Sequence, residues 1–118
     1  MKAKEQMILE AYAAFNRRDI PAILNLLDKD VEWPNGMEGG IEHGHAAARD
    51  YWTRQWKILD PNVIPLKINK ISENEYDVTV KQVVKNPAGE LLVDQLIHHL
   101  YEFKNNLVVK MTIGQVDS

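Results

Sequence analysis

The hydrophobic residues of this chain change their spacing at Pro61, and that change constrains the fold more than any other feature. Before Pro61, apolar residues recur every three or four positions, as on one face of an amphipathic helix. After Pro61 they alternate with other residues, as in strands that bury one face. The sequence therefore predicts an α+β protein in which three helices precede a sheet.

The first helix is predicted from Ala3 to Asn16, and a short second helix follows Asp19. Asp19 is an N-cap residue type, and Pro21 is tolerated in a first helical turn. The third helix is predicted from about His45 to Leu59, because proline disfavours helix in the residue before it.

The segment between the second and third helices is predicted to be mostly loop. Val31-Glu32-Trp33 is too short for more than a brief strand, and Pro34-Asn35-Gly36 turns the chain. Because Gly39, Gly40 and Gly44 follow, we expect this loop to be the most flexible part of the chain.

Four strands are predicted after Pro61, and hairpin connections make the sheet mostly antiparallel. Helices gathered on one face of such a sheet give a cone-shaped interior. The residues predicted to face it are Ile64, Leu66 and Ile68; Tyr76, Val78, Val80, Gln82 and Val84; Val93, Gln95, Ile97, His99, Tyr101 and Phe103; and Val109, Met111, Ile113 and Gln115.

The alternate residues of the same strands are predicted to face away from the helices. Leu96 and Leu100 would then lie exposed on a broad sheet surface. Exposed apolar patches often mark interfaces, so we expect a homodimer through this outer face.

Length and composition exclude several classes of protein. A chain of 118 residues is predicted to form a single domain over residues 1–118, and no segment is apolar enough to cross a membrane. The net charge of -3, with basic residues dispersed among acidic ones, argues against nucleic-acid binding. The charged start lacks a secretory signal, and we expect a cytoplasmic protein. We expect no cofactor, because there is no phosphate-binding loop or dinucleotide fingerprint.

Polar residues among the inward-facing apolar ones are the best sequence signal of a binding site. Buried polar groups need partners, and a cavity that holds a ligand supplies them. His99 titrates near neutrality and is the candidate general acid or base. The predicted ligand-binding residues are Tyr12, Trp33, Trp52, Trp56, Gln82, Gln95, Tyr101, Met111, Ile113 and Gln115.

Each of these signals also has a purely structural interpretation. Aromatic residues at helical spacing are more often core packing than a binding site. His99 is equally well interpreted as a core histidine bonded to Tyr12, Gln82 or a backbone carbonyl. His43 and His45, with Glu38 and Glu42 nearby, are interpreted as a solvated loop, so no metal site is predicted.

The order of predicted elements resembles the nuclear transport factor 2-like superfamily over nearly the whole chain. The local sequences that carry the resemblance are Phe15-Asn16-Arg17-Arg18-Asp19-Ile20, Asp30-Val31-Glu32-Trp33-Pro34, Gly44-His45-Ala46-Ala47-Ala48-Arg49-Asp50-Tyr51-Trp52 and Tyr101-Glu102-Phe103-Lys104-Asn105-Asn106-Leu107-Val108-Val109-Lys110-Met111. Within the superfamily, the chain is similar to the ketosteroid-isomerase and polyketide-cyclase (SnoaL-like) branch. This resemblance implies a cystatin-like cone with a curved sheet of four to five strands that holds a small hydrophobic molecule.

The comparison with ketosteroid isomerase implies a different reaction for this chain. Where that enzyme has its general-base Asp, this chain has Trp33; where it has a protonated Asp on the long strand, this chain has His99. The oxyanion Tyr aligns with Ala11, one residue before Tyr12. Ketosteroid isomerisation is therefore not expected, because both the carboxylate base and the paired donors are missing.

Two functional hypotheses follow, and the sequence leaves open whether the protein is an enzyme. In the first, the cone binds a small, largely apolar molecule, with His99 serving a cyclase- or isomerase-type proton transfer. In the second, the protein is a noncatalytic dimeric binding or assembly module with a filled interior.

Overall fold

The computed structural model, which describes residues 3–114, has three helices and a six-stranded sheet, and two of the strands lie between the second and third helices in sequence. The helices are α1 (Lys4–Asn16), α2 (Ile20–Leu24) and α3 (Gly44–Ile58). Asp19 caps α2 as predicted, since its carboxylate accepts a hydrogen bond from the Ala22 amide at 3.2 Å. No helix within residues 3–114 is long and apolar enough to cross a membrane.

The sheet is mixed, and the part described within residues 3–114 has one parallel pair, close to one edge. Its strands lie in the order β2-β1-β6-β5-β4-β3, and only β1 and β6 run parallel. The strand bounds are β1 (Leu27–Pro34), β2 (Ile41–His43), β3 (Asp60–Ser72), β4 (Glu75–Lys85), β5 (Leu91–Lys104) and β6 (Leu107–Gly114).

The α+β prediction is confirmed, although the sheet has more strands than the predicted four to five. The brief strand expected around Val31 belongs to the eight-residue strand β1, and Ile41–His43 adds β2 within the predicted loop. Pairing with β6 extends β1, since Leu27 lies opposite Val108 and Glu32 opposite Lys110. Such a partner is distant in sequence, so local alternation does not reveal it.

The core lies between the helices and the inner face of the curved sheet. Val78 and Val80 on β4 are fully buried, as is Trp52 on α3. Alternation along β4 and β5 has the predicted phase, because Tyr76, Val78, Val80 and Val84 are buried on one strand and Ile97, His99, Tyr101 and Phe103 on the other.

Two strands depart from the predicted phase. On β3, Val63 is buried, whereas Ile64 and Leu66, which we expected to face inward, are exposed. Of the three residues predicted to face inward, Ile68 alone packs against the core. A bulge between Pro65 and Lys67 breaks the alternation, so one side-chain period cannot describe the whole strand.

On β6, Val108 is buried in place of the predicted Val109. Phe103 pairs with Val108 and Glu102 with Lys110, which leaves Val109 as the extra residue of a bulge. Beyond the bulge, Met111 pairs with Tyr101 and returns to the inner face, as predicted.

Candidate functional site

A cavity of about 390 Å³ occupies the interior between the helices and the sheet. Most of the predicted ligand-binding residues line it, together with side chains of α1, α3 and the loop after β1. The predicted residues found there are Tyr12, Trp33, Trp52, Gln82, Gln95, His99, Tyr101, Met111 and Ile113. Trp33 and His99, which come from opposite halves of the chain, therefore border one space.

Trp56 and Gln115 differ from the other predicted site residues. The Trp56 ring stacks on Trp52 at 6.4 Å and packs edge-on against Phe15 at 5.3 Å, and Trp56 does not line the cavity. It supports the aromatic wall from behind, because a helical apolar stripe is wide enough to face two neighbours. Gln115 lies outside the described residues.

The cavity is closed at one end and open at the other. Along β5, Leu92 and Gln95 are exposed, whereas His99 and Tyr101 are buried. Ile113 on β6, which pairs with His99, is also partly exposed. We call the buried end, with Tyr12, His99 and Tyr101, the floor, and the end with Gln82 and Gln95 the rim.

The floor is a cluster of three rings that carry polar atoms. The Tyr12 hydroxyl lies 2.7 Å from Nδ1 of His99, within hydrogen-bond distance. The two rings are stacked at 5.8 Å, and Tyr101 meets both rings edge-on. The bond to Tyr12 is one of the structural interpretations raised above for His99. It fixes the imidazole through Nδ1, and Nε2 has no hydrogen-bond partner within residues 3–114.

Burial keeps all three floor groups uncharged at neutral pH. It lowers the pKa of His99 from 6.5 to about 4, because the low-dielectric interior disfavours the imidazolium. Burial likewise raises the pKa of both Tyr12 and Tyr101 well above 10. The floor therefore offers neutral donors and acceptors.

The walls are aromatic and carry no formal charge. Trp33 packs edge-on against Trp52 with ring centroids 5.4 Å apart. None of the lining side chains within residues 3–114 is Asp, Glu, Lys or Arg. Two wall atoms, Trp52 Nε1 and Gln55 Oε1, are buried without a hydrogen-bond partner in the same range, and neither is presented to open space.

At the rim, two glutamines from neighbouring strands are hydrogen-bonded to each other. Gln95 Nε2 donates to Gln82 Oε1 at 2.8 Å, and the two residues pair directly across β4 and β5. This bond uses one donor of Gln95 and leaves the Gln82 amide nitrogen and the Gln95 carbonyl oxygen for other partners.

The loop after β1 forms part of the cavity wall, which sequence reasoning missed. Asn35 is buried, and its side-chain oxygen Oδ1 accepts hydrogen bonds from the backbone amides of Met37 and Glu38. Its amide nitrogen donates to the carboxylates of Glu38 and Glu42. Gly36 and Met37 consequently face the cavity. The asparagine in Pro34-Asn35-Gly36 was the available signal, since Asn side chains commonly bond the backbone of their own turn.

An ion pair ties this loop to α3. Arg54 approaches Glu38 at 2.9 Å, and the Arg54 guanidinium holds the pKa of the Glu38 carboxyl below its usual value. The predicted flexible loop is therefore anchored at both Asn35 and Glu38.

The histidines of this region have separate surroundings. His45 Nε2 lies 2.9 Å from the carbonyl oxygen of Leu27, which holds the start of α3 against β1. Within residues 3–114, no three His, Asp or Glu side chains are grouped to hold a metal ion.

A sequence profile of the SnoaL-like domain matches residues 8–111. Among solved structures, a nuclear transport factor 2-like protein of unknown function from Burkholderia pseudomallei superposes with a TM-score of 0.85 at 26% identity, covering 98% of this chain and 92% of that one. No curated protein matches the chain.

Two further structures share the fold at lower identity. A proposed polyketide cyclase from Pseudomonas putida has a TM-score of 0.85 at 15% identity, covering 98% of this chain and 93% of that one. SalBIII, an epoxide hydrolase/cyclase-like enzyme of pyran-ring formation in the polyether salinomycin, has a TM-score of 0.80 at 14% identity, covering 96% and 90%.

Proposed function

The chain belongs to the SnoaL-like domain family, and on this premise we propose that its cavity binds a small, largely apolar molecule. The observation that carries the proposal is an aromatic-walled cavity of about 390 Å³ with a buried histidine at its closed end. Its volume lies in the range of small-molecule sites, and a few polar groups among apolar walls are typical of them. The open cavity among residues 3–114 supports this proposal over the filled interior of the noncatalytic alternative.

We further propose that His99 exchanges a proton with the bound molecule through Nε2. Its low pKa makes it a weak base in the empty cavity. When Nε2 takes a proton from an acidic C–H or O–H of the ligand, the electron pair stays on the ligand as an enolate or alkoxide. That anion then stabilises the imidazolium beside it, because an opposite charge nearby favours the charged form.

The pair of imidazolium and ligand anion can lead to an isomerised or to a cyclised product. In an isomerisation, the imidazolium returns the proton to another carbon of the enolate. In a cyclisation, the anion attacks an electrophilic carbon of the same molecule, and the proton goes to the oxygen that is released. The cyclase names of the two more distant structures support this reading. The bulky Trp33 in place of a carboxylate favours it over ketosteroid isomerisation.

Tyr12 is proposed as the positioning residue for this step. Its 2.7 Å contact with Nδ1 orients the ring, so that Nε2 is the nitrogen left to meet the ligand. Tyr12→Phe removes the contact but keeps the aromatic packing. We expect kcat to fall by more than KM changes once a substrate is known, because the lost contact leaves Nε2 less well oriented at the step that transfers the proton.

Para-hydroxybiphenyl is a suitable first probe of the cavity, with tryptophan fluorescence as the measurement. Trp33 and Trp52 line the cavity, so occupancy should quench their emission. His99→Ala should weaken the Kd about fivefold to tenfold, which is the effect of one lost hydrogen bond. His98→Ala is the matched control and should leave the Kd unchanged, because His98 lies on the outer face.

His99→Gln guards against a folding defect in the alanine variant, since it keeps a side-chain donor. Saturable quenching that depends on residue 99 supports the proposal. The proposal is contradicted if no quenching is seen. It is also contradicted if the wild-type protein, His99→Ala and His99→Gln all have the same Kd.

We also propose that the outer face of the sheet forms a homodimer. Leu96 and Leu100 on β5 are 42% and 38% exposed on the face opposite the helices. If dimerisation or assembly is the main role, Leu96→Asp and Leu100→Asp should impair function more than His99→Ala does.

Sedimentation of the purified chain tests the dimer. Leu96→Asp and Leu100→Asp should convert dimers to monomers while binding of para-hydroxybiphenyl persists. Ile58→Asp, which places the same charge on an exposed residue of α3, should leave the dimer intact. A wild-type monomer, or dimers in all variants, contradicts this interface.

A further inference from the structure

Two groups of polar side chains, which we call stations, face the cavity at two points along one strand. His99 stands at the floor and Gln95 at the rim, four residues apart on β5. Each strand residue advances about 3.3 Å, so the stations are about 13 Å apart along the strand. Ile97, the cavity-facing residue between them, is apolar.

Further polar side chains lie beside His99 and Gln95 at both stations. On the floor, Tyr12 from α1 contacts His99, and Tyr101 adds a second hydroxyl. At the rim, Gln82 of β4 lies directly opposite Gln95. Each station therefore combines several hydrogen-bonding atoms, whereas a chance polar residue in a cavity wall stands alone.

The rim pair is suited to a hydroxyl group. Its internal bond leaves a donor on Gln82 and an acceptor on Gln95. A hydroxyl is the simplest ligand group that accepts from the one and donates to the other at the same time. If both amides are turned over, the donor and acceptor exchange places, and the match to a hydroxyl is unchanged.

The lining also limits the charge of the ligand. None of the lining side chains among the described residues is a permanent ion. A charged end group would lose its hydration without gaining a counter-ion, which is costly in an apolar space. Uncharged oxygens avoid that cost.

We propose that the natural ligand is an elongated, uncharged molecule with a rigid apolar body and a hydrogen-bonding oxygen at each end. One oxygen meets the floor at His99, and the other meets the Gln82–Gln95 pair. This inference rests on the proposed binding function and adds the length and end groups of the ligand. It assigns the rim glutamines a role in specificity.

Three phenols test the inference by tryptophan fluorescence and calorimetry. Para-hydroxybiphenyl reaches one station, and para,para′-dihydroxybiphenyl offers an oxygen at both ends. Ortho,ortho′-dihydroxybiphenyl has the same composition with both hydroxyls near its middle. We expect the para,para′ compound to bind about fivefold to tenfold more tightly than the other two, the effect of one added hydrogen bond.

The combined variant Gln82→Met and Gln95→Met removes the rim station with little change in side-chain shape. It should abolish the advantage of the para,para′ compound, so that the Kd values of this compound and of para-hydroxybiphenyl become equal within error. A second variant, Tyr101→Phe, should weaken all three phenols that reach the floor while preserving the rim advantage.

The outcomes separate this inference from the proposed function. If para-hydroxybiphenyl binds but the second hydroxyl brings no gain, or the gain persists in the combined variant, the two-station inference is overturned and the binding function stands. If no phenol binds, both are overturned.

Discussion

His98 and His99 are consecutive residues of β5, yet they lie in contrasting environments. The His99 side chain is only 6% exposed, contacts Tyr12 and is kept neutral by burial. The His98 side chain faces the outer side of the sheet, where its Nδ1 pairs with Asp77 at 3.0 Å. The difference comes from strand alternation alone, since successive side chains point to opposite faces. The inner face of this sheet encloses the cavity, and the outer face lies on the side away from the helices.

The largest predicted effect comes from placing the same charge on each face. Val80 is fully buried on the inner face, and Lys81 beside it is exposed on the outer face. Val80→Asp should cost more than about 4 kcal/mol, because it buries a carboxylate without a partner. That is most of the stability of a typical domain, which is about 5–15 kcal/mol. Lys81→Asp should change stability by about 0.5 kcal/mol or less.

Urea denaturation followed by circular dichroism measures both variants. The contrast between the faces fails if Val80→Asp stays within about 1 kcal/mol of the wild-type protein.

The next effect is a loss of stability in acid that the burial of His99 causes. The unfolded chain binds a proton at residue 99 below pH 6.5, whereas the folded protein does so only near pH 4. Stability is therefore complete above pH 6.5 and declines as the pH falls toward 4. The shift corresponds to a loss of about 3 kcal/mol across that range.

Urea midpoints at pH 7 and pH 4.5 test this for three proteins. His99→Gln should lose less stability between the two pH values than the wild-type protein, by about 2 kcal/mol. His98→Gln, on the outer face, is the matched control. An equal decline in His99→Gln would show that His99 is already able to take up a proton in the folded state.

Strand alternation correctly predicted which side chains of β4 and β5 face the cavity, because these two strands pair without a bulge along most of their length. Gln82, Gln95, His99 and Tyr101 lie on β4 and β5, which pair without a register shift from Val84 to Glu75. Their placement along the cavity therefore follows from sequence position. What binds there is still a prediction.

Contacts between distant segments account for what the sequence did not predict. The wall formed by the loop after β1 depends on Asn35 bonding Glu38 and Glu42, and on Arg54 reaching back from α3. The glycines around it indicated freedom of the backbone, but not these partners. Trp56 was assigned to the site because helical spacing cannot separate a side chain that lines a cavity from one that supports it.

The sequence was also wrong about the phase of β3. This strand gives the smallest predicted difference in stability between the two faces of the sheet, and it compares two adjacent residues. Val63 is 6% exposed and Ile64 is 44% exposed, the reverse of the sequence prediction. Asn16 fixes this arrangement from α1, since its side chain donates to the Val63 carbonyl at 2.7 Å and accepts from the Val63 amide at 2.9 Å. The strand is therefore held in register by a helix, a constraint that strand alternation does not contain.

Val63→Ala should accordingly cost about 2 kcal/mol, because it removes buried apolar surface and leaves a small void. Ile64→Ala removes a larger side chain but should cost only about 0.5 kcal/mol. Urea denaturation of the pair measures the difference. If Ile64→Ala proves the more damaging change, then either β3 has the phase that the sequence indicated, or Ile64 is covered by a partner on the outer face. Sedimentation separates these two readings, since a partner would make the cost of Ile64→Ala depend on protein concentration.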